Sequence, residues 1–318
     1  MVTHEEVRQA AIRIRPHLHR TPILGSRLLS ARAGCRLHLK AELFQRTGSF
    51  KPRGGLNEVL QLSSAARLRG VITISAGNHA QGVAYAARLA EVPATVVMAS
   101  SAVRSKIEAT RGYGAEVVLA SDVHEAFRTV ERLRAERDLH FIHPFDSPRL
   151  IAGQGTLGLE LGEDLPELNA VVVPIGGGGL ISGVAAALRT PRSRVRIFGV
   201  EPEGAPTMTR ALAAGSPVRL ESMATIADGL AAPFVGELNL EHVRRQVEDV
   251  VLVSDDEIRA AMRFLMTRAK LFVEPAGAAA VAALLAGKIP VLPGWDVAAI
   301  VSGGNVDLES VSGLLGAS

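Results

Sequence analysis

Cysteine is nearly absent from this sequence, which has only Cys35 among its 318 residues. A single cysteine excludes an internal disulfide and a zinc site built from several cysteines. Aromatic residues make up only 4% of the chain, which argues against a surface that stacks nucleic-acid bases. The formal net charge is only +3, so no large charge excess indicates a polyanionic partner. We therefore expect no nucleic-acid partner.

Long hydrophobic runs are also missing. The longest run of small apolar residues, PAGAAAVAALLAG at 275–287, is too short to cross a bilayer and predicts a buried helix. The first residues, MVTHEEVRQA, are polar and include two glutamates, unlike a signal peptide. We expect a soluble cytoplasmic protein with no membrane partner.

Apolar residues and glycine are abundant, at 47% of the chain and 31 residues respectively. Short apolar strands alternate with helices: GVITIS at 70–75 precedes a predicted helix at 79–90, and ATVVMA at 94–99 precedes one near 102–111. The pattern continues in the second half, and an amphipathic helix is predicted at 256–270. This alternation predicts an α/β protein with parallel sheets. Without a long linker, two interleaved lobes with a cleft between them fit best.

Three glycine-rich segments directly follow predicted strands: SAGNHAQG at 75–82, GGGGLISG at 176–183 and SGGNVD at 302–307. In open parallel sheets, ligands bind at the carboxyl ends of strands, where helices begin. Four successive glycines allow the backbone to fold closely around an anion such as phosphate. The first segment offers a hydroxyl, an amide and an imidazole for a substrate carboxylate; alternatively, Ser75 simply caps the helix.

The four-glycine run does not match a dinucleotide fingerprint, which requires glycines at i, i+2 and i+5. Whichever glycine starts the motif, Leu180, Ile181 or Ser182 occupies a required position. Glu201 follows at the end of the next strand, where a ribose-binding acid would lie. A NAD-dependent dehydrogenase therefore stays a minor alternative.

The segment GSFKPRGGLN at 48–57 contains Lys51, which is either a solvated lysine in a turn or a catalytic amine. Together with the three glycine segments, in this order, it resembles the fold-type-II pyridoxal-phosphate enzymes. Within them the chain looks like the threonine dehydratase and serine racemase group, over residues 20 to 308. The resemblance implies a tryptophan synthase β-like α/β fold, with two open parallel-sheet lobes and the active site in the cleft. It also implies a homo-oligomer, either a dimer or a tetramer.

The resemblance further implies a discontinuous large domain that binds pyridoxal 5'-phosphate, at 1–68 and 147–318, and a small substrate-binding domain at 69–146. Lys51 matches the catalytic lysine that forms the Schiff base. The matching cofactor-binding residues are the lysine itself, Phe50 on the ring face, Asn78 at the phenolic oxygen, the phosphate loop Gly176, Gly177, Gly178, Gly179 and Leu180, and Ser302 at the ring nitrogen. The matching substrate-binding residues are Ser75, Ala76, Gly77, Asn78 and His79.

The implied reaction is dehydration and deamination of L-threonine, L-serine or both, giving 2-oxobutanoate or pyruvate plus ammonia. Serine racemases of this group carry a serine as second base where this chain has Ala76, which favours elimination. The alternatives are a racemase, a dehydratase of 3-hydroxyaspartate or phenylserine, and a non-catalytic binding protein. A 3-hydroxyaspartate enzyme needs a positively charged group to bind the second carboxylate. Arg128 is the residue considered for this, but the sequence does not determine which way its side chain points.

Some members of this group bind a divalent cation, and Glu201 and Ala205 match two of the ligand positions for Mg²⁺ or Ca²⁺. Thr207 stands where the third ligand, an aspartate, is found, and a hydroxyl is a poorer ligand for a hard cation. Glu201 can instead cap the end of its strand. After SGGNVDLESVSGLLGAS at 302–318 the chain has no room for the regulatory domain of biosynthetic threonine dehydratases. We therefore expect no feedback through such a domain.

Overall fold

The computed structural model describes residues 1–100, 102–190 and 193–316; the last two residues of the predicted large domain lie outside these ranges. Within them the strands are β1 (Ile23–Gly25), β2 (Arg36–Ala41), β3 (Val71–Ile74), β4 (Ala94–Ala99), β5 (Glu116–Ala120), β6 (His140–Phe141), β7 (Leu168–Pro174), β8 (Arg196–Pro202), β9 (Asp249–Val253) and β10 (Asp296–Val301). The helices are α1 (His4–Ile14), α2 (Arg27–Ala33), α3 (Pro52–Val59), α4 (Ser64–Arg69), α5 (Asn78–Leu89), α6 (Arg104–Gly112), α7 (Val123–Arg137), α8 (Pro148–Asp164), α9 (Gly179–Leu188), α10 (Thr207–Ala214), α11 (Glu237–Gln246), α12 (Asp255–Phe264), α13 (Pro275–Leu285) and α14 (Leu308–Leu314).

The strands form two sheets. The larger sheet has the order β1-β2-β10-β7-β8-β9 and is parallel except for β1, which pairs antiparallel with β2. The smaller sheet has the order β5-β4-β3-β6 and is parallel throughout. Helices connect the parallel strands, as this topology requires. The α/β class with two parallel sheets, predicted from the sequence, is therefore confirmed.

Both faces of each sheet are covered by helices. In the larger sheet, Val172 contributes to a core with α2, α12 and α13, whereas its neighbours Val171 and Val173 contribute to a core with helices α8 to α11 on the opposite face. The smaller sheet packs against α5 and α6 on one face and against α7 on the other. Burial on both faces explains why the strands are continuous apolar runs, which made them recognisable in the sequence.

The helix expected at 256–270 is shorter than predicted. α12 ends at Phe264, a π-helical turn occupies Leu265–Ala269, and Lys270 takes a left-handed conformation with φ 59°.

At the start of the chain, Thr3 caps α1. Its hydroxyl accepts a hydrogen bond from the Glu6 amide, and the Glu6 carboxylate accepts one from the Thr3 amide. Among the described residues, no helix combines the length and apolar character needed to span a bilayer.

Candidate active site

One cavity of about 500 Å³ lies where the carboxyl ends of strands from both sheets face each other. β3, β7 and β10 end beside it, and α3, α5 and α9 begin there. Its lining includes every residue that the sequence analysis placed around cofactor and substrate: Phe50, Lys51, Ser75, Ala76, Gly77, Asn78, His79, Gly176, Gly177, Gly178, Gly179, Leu180 and Ser302. Phe50 and Ser302, which are 252 positions apart in the sequence, thus line the same cavity.

Lys51 stands immediately before α3 and directs its amine into the cavity. Its Nζ donates a weak hydrogen bond of 3.4 Å to the carbonyl oxygen of Pro144 and lies 5.1 Å from the centre of the Phe50 ring. Burial lowers the pKa of Lys51 to about 8, against the opposing attraction of the Glu274 carboxylate. At neutral pH more of this amine is uncharged than at the ordinary lysine pKa of 10.5, which suits a nucleophile or base.

A buried ion network holds α3, and thereby Lys51, in place. Arg53 is only 1% exposed; its guanidinium donates two hydrogen bonds of 2.8 Å to Glu42 and bonds of 2.7 and 3.0 Å to Glu160. Lys40 pairs with the same Glu160 at 2.6 Å. Burial disfavours the charge on Arg53, but Glu42 and Glu160 outweigh it and raise the pKa of Arg53 above its ordinary value. The sequence analysis assigned no role to this arginine.

The glycine loop between β7 and α9 is shaped for an anion. Gly178 has a φ of 97°, a conformation that residues with a side chain rarely adopt. A Cβ on Gly177 would overlap the Phe145 ring, so only glycine fits there. Asn239 Nδ2 supports the loop by donating to the carbonyl oxygens of Gly177 and Phe145, both at 3.0 Å. The amides at the start of α9 are thereby held at the cavity, where they favour a phosphate.

The loop before α5 presents a second cluster of donors. One interpretation of the sequence was that Ser75 caps this helix, and that interpretation is wrong. The Ser75 hydroxyl accepts a hydrogen bond from the Gly77 amide at 3.2 Å. Gly77 is the N-cap residue of α5, and no side chain makes a cap hydrogen bond there. The first amides of α5 thus have no side-chain cap. His79 Nε2 lies 3.0 Å from the Thr73 hydroxyl, and its buried Nδ1 has no hydrogen-bond partner among the described residues. Burial, reinforced by Lys51, lowers the pKa of His79 well below its usual value, so the ring is neutral.

Asn78 links this loop to Glu274, a residue that the sequence analysis did not single out. Asn78 Nδ2 donates to Glu274 Oε1 at 2.6 Å, and Asn78 Oδ1 accepts from Asn305 Nδ2 at 2.7 Å. Glu274 is 2% exposed, and burial, followed by the nearby Asp228 carboxylate, raises the pKa of Glu274 to about 7. In the sequence, a glutamate before Pro275 at a helix start is typical of a cap, and nothing local signals its place in the cavity.

His143 is a second cavity-lining residue that the sequence alone did not indicate. Its Nδ1 accepts hydrogen bonds from the amides of Phe145 at 3.2 Å and Asp146 at 2.8 Å. Burial, together with the positive charge of Lys51, lowers the pKa of His143 to about 4. The neutral ring therefore orders the segment that packs against the glycine loop.

Ser302 completes the polar lining at the end of β10. It is 3% exposed, and its hydroxyl makes only a long bond of 3.4 Å to the Ala276 carbonyl oxygen. The Ser302 carbonyl oxygen accepts from the Phe50 amide at 3.1 Å, which ties the lysine segment to this strand end. The hydroxyl can thus donate to or accept from a ring nitrogen without imposing a charge.

Glu201 is engaged in a helix cap rather than free for a cation. Its carboxylate accepts from the Met208 amide at 2.6 Å, and from the Thr209 amide and hydroxyl at 2.9 and 2.7 Å. Thr207, at the position of the missing aspartate, donates its hydroxyl to the Ala232 carbonyl oxygen at 2.7 Å. Ala205 is fully buried. The Glu201 carboxylate thus caps α10 in this structure, and the divalent-cation site that the resemblance implies stays a prediction.

Arg128 points away from the cavity. Its guanidinium pairs with Glu125 one turn earlier on α7, and its side chain is 68% exposed. The candidate partner for the second carboxylate of 3-hydroxyaspartate is therefore misplaced, because the neighbouring Phe127 takes the position that faces the cavity.

The donor set around the cavity fits pyridoxal phosphate. The glycine loop and the start of α9 suit its phosphate, Lys51 its aldehyde, Asn78 its phenolic oxygen and Ser302 its ring nitrogen. Each group is of the type that its partner requires, and all of them border the same space.

Comparison with known proteins agrees with this arrangement. A family model described as "Pyridoxal-phosphate dependent enzyme" matches residues 14–303. An L-threonine ammonia-lyase of Thermotoga maritima is 44% identical over 99% of this chain and 78% of its own length. A phenylserine dehydratase of Ralstonia pickettii is 43% identical over 96% of this chain and 93% of its own. The structure of maize serine racemase superposes with a TM-score of 0.94 at 40% identity, covering 98% of this chain and 95% of the other.

The family match spans the whole cavity lining, from before Lys51 to beyond Ser302. The minor alternative of a NAD-dependent dehydrogenase is therefore wrong, as is that of a non-catalytic protein. The chain belongs to the pyridoxal-phosphate dependent enzyme family, as an ammonia-lyase of the threonine dehydratase group that catalyses β-elimination.

Proposed function

We propose that this enzyme is an L-threonine dehydratase that also accepts L-serine, releasing 2-oxobutanoate or pyruvate together with ammonia. The observation that carries the proposal is a lysine of lowered pKa, Lys51, facing the same cavity as an anion-binding glycine loop and a second cluster of amide donors. Bound pyridoxal phosphate supplies an electron sink for the substrate α-carbon.

Substrate binding is assigned to the loop that begins at Ser75. The uncapped amides at the start of α5 and the Ser75 hydroxyl are suited to hold the α-carboxylate. His79 is neutral, so it contributes a hydrogen-bonding ring nitrogen rather than a charge. Fixing the carboxylate here orients the α-hydrogen of an L-amino acid with respect to the amine of Lys51.

Proton transfer is assigned to Lys51. Its Nζ, with a pKa of about 8, is able to take the proton from the α-carbon and to return a proton to the departing β-hydroxyl. Ala76 lines the cavity without an acid or base. The absence of a titratable side chain at this position supports elimination over racemisation, which needs a second proton donor on the opposite face of the α-carbon.

The test measures 2-oxo acid and ammonia formation from L-threonine and L-serine by the purified holoenzyme. Lys51→Ala is expected to lower turnover by ~10³-fold or more, because it removes the acid–base group itself. Lys270→Ala, which changes an exposed lysine, is the matched control and keeps full activity. D-Serine formation is followed in the same reactions. The proposal fails if L-threonine gives no 2-oxobutanoate, if racemisation outpaces elimination, or if Lys51→Ala stays active.

A further inference from the structure

The cavity concentrates the phenylalanines of this chain. Only nine phenylalanines occur in the sequence, and five of them line this one space: Phe50, Phe127, Phe141, Phe145 and Phe234. Phe50 adjoins Lys51, and Phe145 packs on the glycine loop. The other three serve neither the lysine nor the loop, so they call for a separate explanation.

The side of the cavity formed by the smaller sheet and α7 is mostly apolar, with Glu131 as the charged lining residue of α7. We define the apolar wall as Ile74, Val97, Ala126, Phe127, Val130 and Phe141. All but Phe127 also belong to, or pack against, the hydrophobic core between this sheet and α7. The cavity therefore reaches the core of the smaller half of the molecule, where a ligand group meets hydrocarbon rather than water.

Three further contacts involve aromatic rings that line the cavity. The Phe145 and Phe234 rings meet edge to face, with centroids 5.2 Å apart. The exposed Arg219 places its guanidinium 5.6 Å from the centre of the Phe234 ring and 5.9 Å from that of Phe127. Because Phe127 lies on α7 and Phe234 on the larger half, Arg219 contacts rings from both halves that line the same cavity.

Two basic side chains near the apolar wall, Lys106 and Arg128, are already paired with carboxylates. Lys106 lines the cavity, but its Nζ lies 2.5 Å from an Asp228 carboxylate oxygen. Arg128 pairs with Glu125 outside. A second substrate carboxylate at Lys106 would thus have to displace an existing ion pair, and one at Arg219 would meet a guanidinium that already stands over two phenylalanine rings. An uncharged substituent incurs no such cost.

The wall lies beside the position assigned to the substrate carboxylate. The loop at 75–79 follows β3, which pairs with β4, and Val97 and Ala99 near the end of β4 line the cavity. A substrate held at that loop projects its β-substituent toward these residues and toward α7.

We propose that the β-substituent site takes an aryl group, so that the enzyme acts on β-aryl-β-hydroxy-α-amino acids such as L-β-phenylserine. This proposal rests on the proposed β-elimination at Lys51. The Cα–H and Cβ–O bonds break, and the proton and the departing hydroxyl leave together as water. Hydrolysis of the resulting enamine by one water gives phenylpyruvate and ammonia. Edge-to-face contacts with Phe127 and Phe141 are the expected source of recognition.

The experiment compares kcat/KM of the holoenzyme for L-threonine, L-β-phenylserine and L-3-hydroxyaspartate, measured as 2-oxo acid formed. The expected result is a value for phenylserine at least equal to that for threonine, and a lower value for hydroxyaspartate. Ala126→Leu fills the apolar wall and is expected to lower the phenylserine-to-threonine ratio by at least ~10-fold, as changes of this size do in hydrophobic pockets. Ala135→Leu, at an exposed position of the same helix, is the matched control and leaves the ratio unchanged.

If Ala126→Leu does not fold, as judged by its thermal unfolding, Ala99→Leu makes the same test from β4. Threonine turnover with a lower kcat/KM for phenylserine overturns the aryl site but leaves the proposed function intact. An unchanged phenylserine-to-threonine ratio of kcat/KM in Ala126→Leu also overturns the aryl site. Failure of both substrates to react overturns the proposed function and the aryl site together.

Discussion

Arg53 Nε donates a hydrogen bond of 2.8 Å to Glu42 Oε2, in an ion pair from which water is almost excluded. The pair joins the first turn of α3, which follows Lys51, to the segment after β2. The position of the Lys51 amine thus depends on a contact that lies outside the cavity.

Removing the Arg53 guanidinium is expected to destabilise the fold strongly. Arg53→Leu leaves Glu42 and Glu160 without this partner in a buried place, which costs ~3–5 kcal/mol in the free energy of unfolding. Denaturant unfolding of the holoenzyme measures this loss in the free energy of unfolding. Arg8→Leu removes a 61%-exposed arginine from a surface pair and should change the stability by no more than ~0.5 kcal/mol. Equal effects of the two substitutions would contradict a structural role for the buried network.

Glu274 should introduce a titration near neutral pH into the activity profile. Its pKa is raised to about 7, so its proton is lost within the working range of the enzyme. Glu274→Gln is expected to remove an inflection near that pH from the profile of kcat/KM, whereas the exposed Glu167→Gln keeps it. An inflection that persists in Glu274→Gln would have to come from another group.

The same carboxyl has a predictable effect on stability. A raised folded-state pKa means that the stabilising contribution is complete below the ordinary pKa of 4.5 and is lost as the pH rises through about 7. Stability of the wild-type protein should therefore fall across this window relative to that of Glu274→Gln. Thermal unfolding of both proteins between these pH values measures the difference, and parallel curves would argue against the buried position of the carboxyl.

Gly177 should be required for cofactor retention. Gly177→Ala places a methyl group into the Phe145 ring, so the loop or the ring has to move and the anion-binding amides lose their alignment. We expect weaker binding of pyridoxal phosphate, measured by equilibrium dialysis. Gly162→Ala on α8 is the control, because its Cβ would meet only Leu188 Cδ2 at 3.5 Å. Unchanged affinity in Gly177→Ala would remove the loop from the cofactor site.

Glu201 should act as a structural cap that does not depend on cations. Glu201→Ala removes three hydrogen bonds to the start of α10, and loss of a cap of this kind costs ~1–2 kcal/mol. The loss in melting temperature should be the same with excess Mg²⁺, with excess Ca²⁺ and after chelation. A melting temperature of the wild-type protein that falls on chelation would instead restore a cation at this position.

The sequence allowed prediction of the features that depend on residues close to one another in the chain. The strands are apolar runs because they are buried on both faces, and the three glycine segments mark the strand ends that converge on the cavity. Glu274 was missed because its importance comes from burial against Asn78, 196 positions away. The apolar wall was missed for a similar reason: Phe127 and Phe141 look like ordinary core residues until β4 and α7 are placed beside the carboxylate loop. The outward orientation of Arg128 depends on helical phase, and a shift of one residue along the helix turns a side chain by about 100°.

The hydrogen bond between Asn78 and Glu274 joins a helix of the smaller half to one of the larger half, and the pKa of Glu274 reflects its seclusion from water. Any separation of the two halves that hydrates this carboxyl lowers its pKa toward 4.5 and releases a proton at neutral pH. Closure of the cleft is then accompanied by proton uptake, so a lower pH favours the closed arrangement. A separation of this kind would be observable as a pH change in weakly buffered solution.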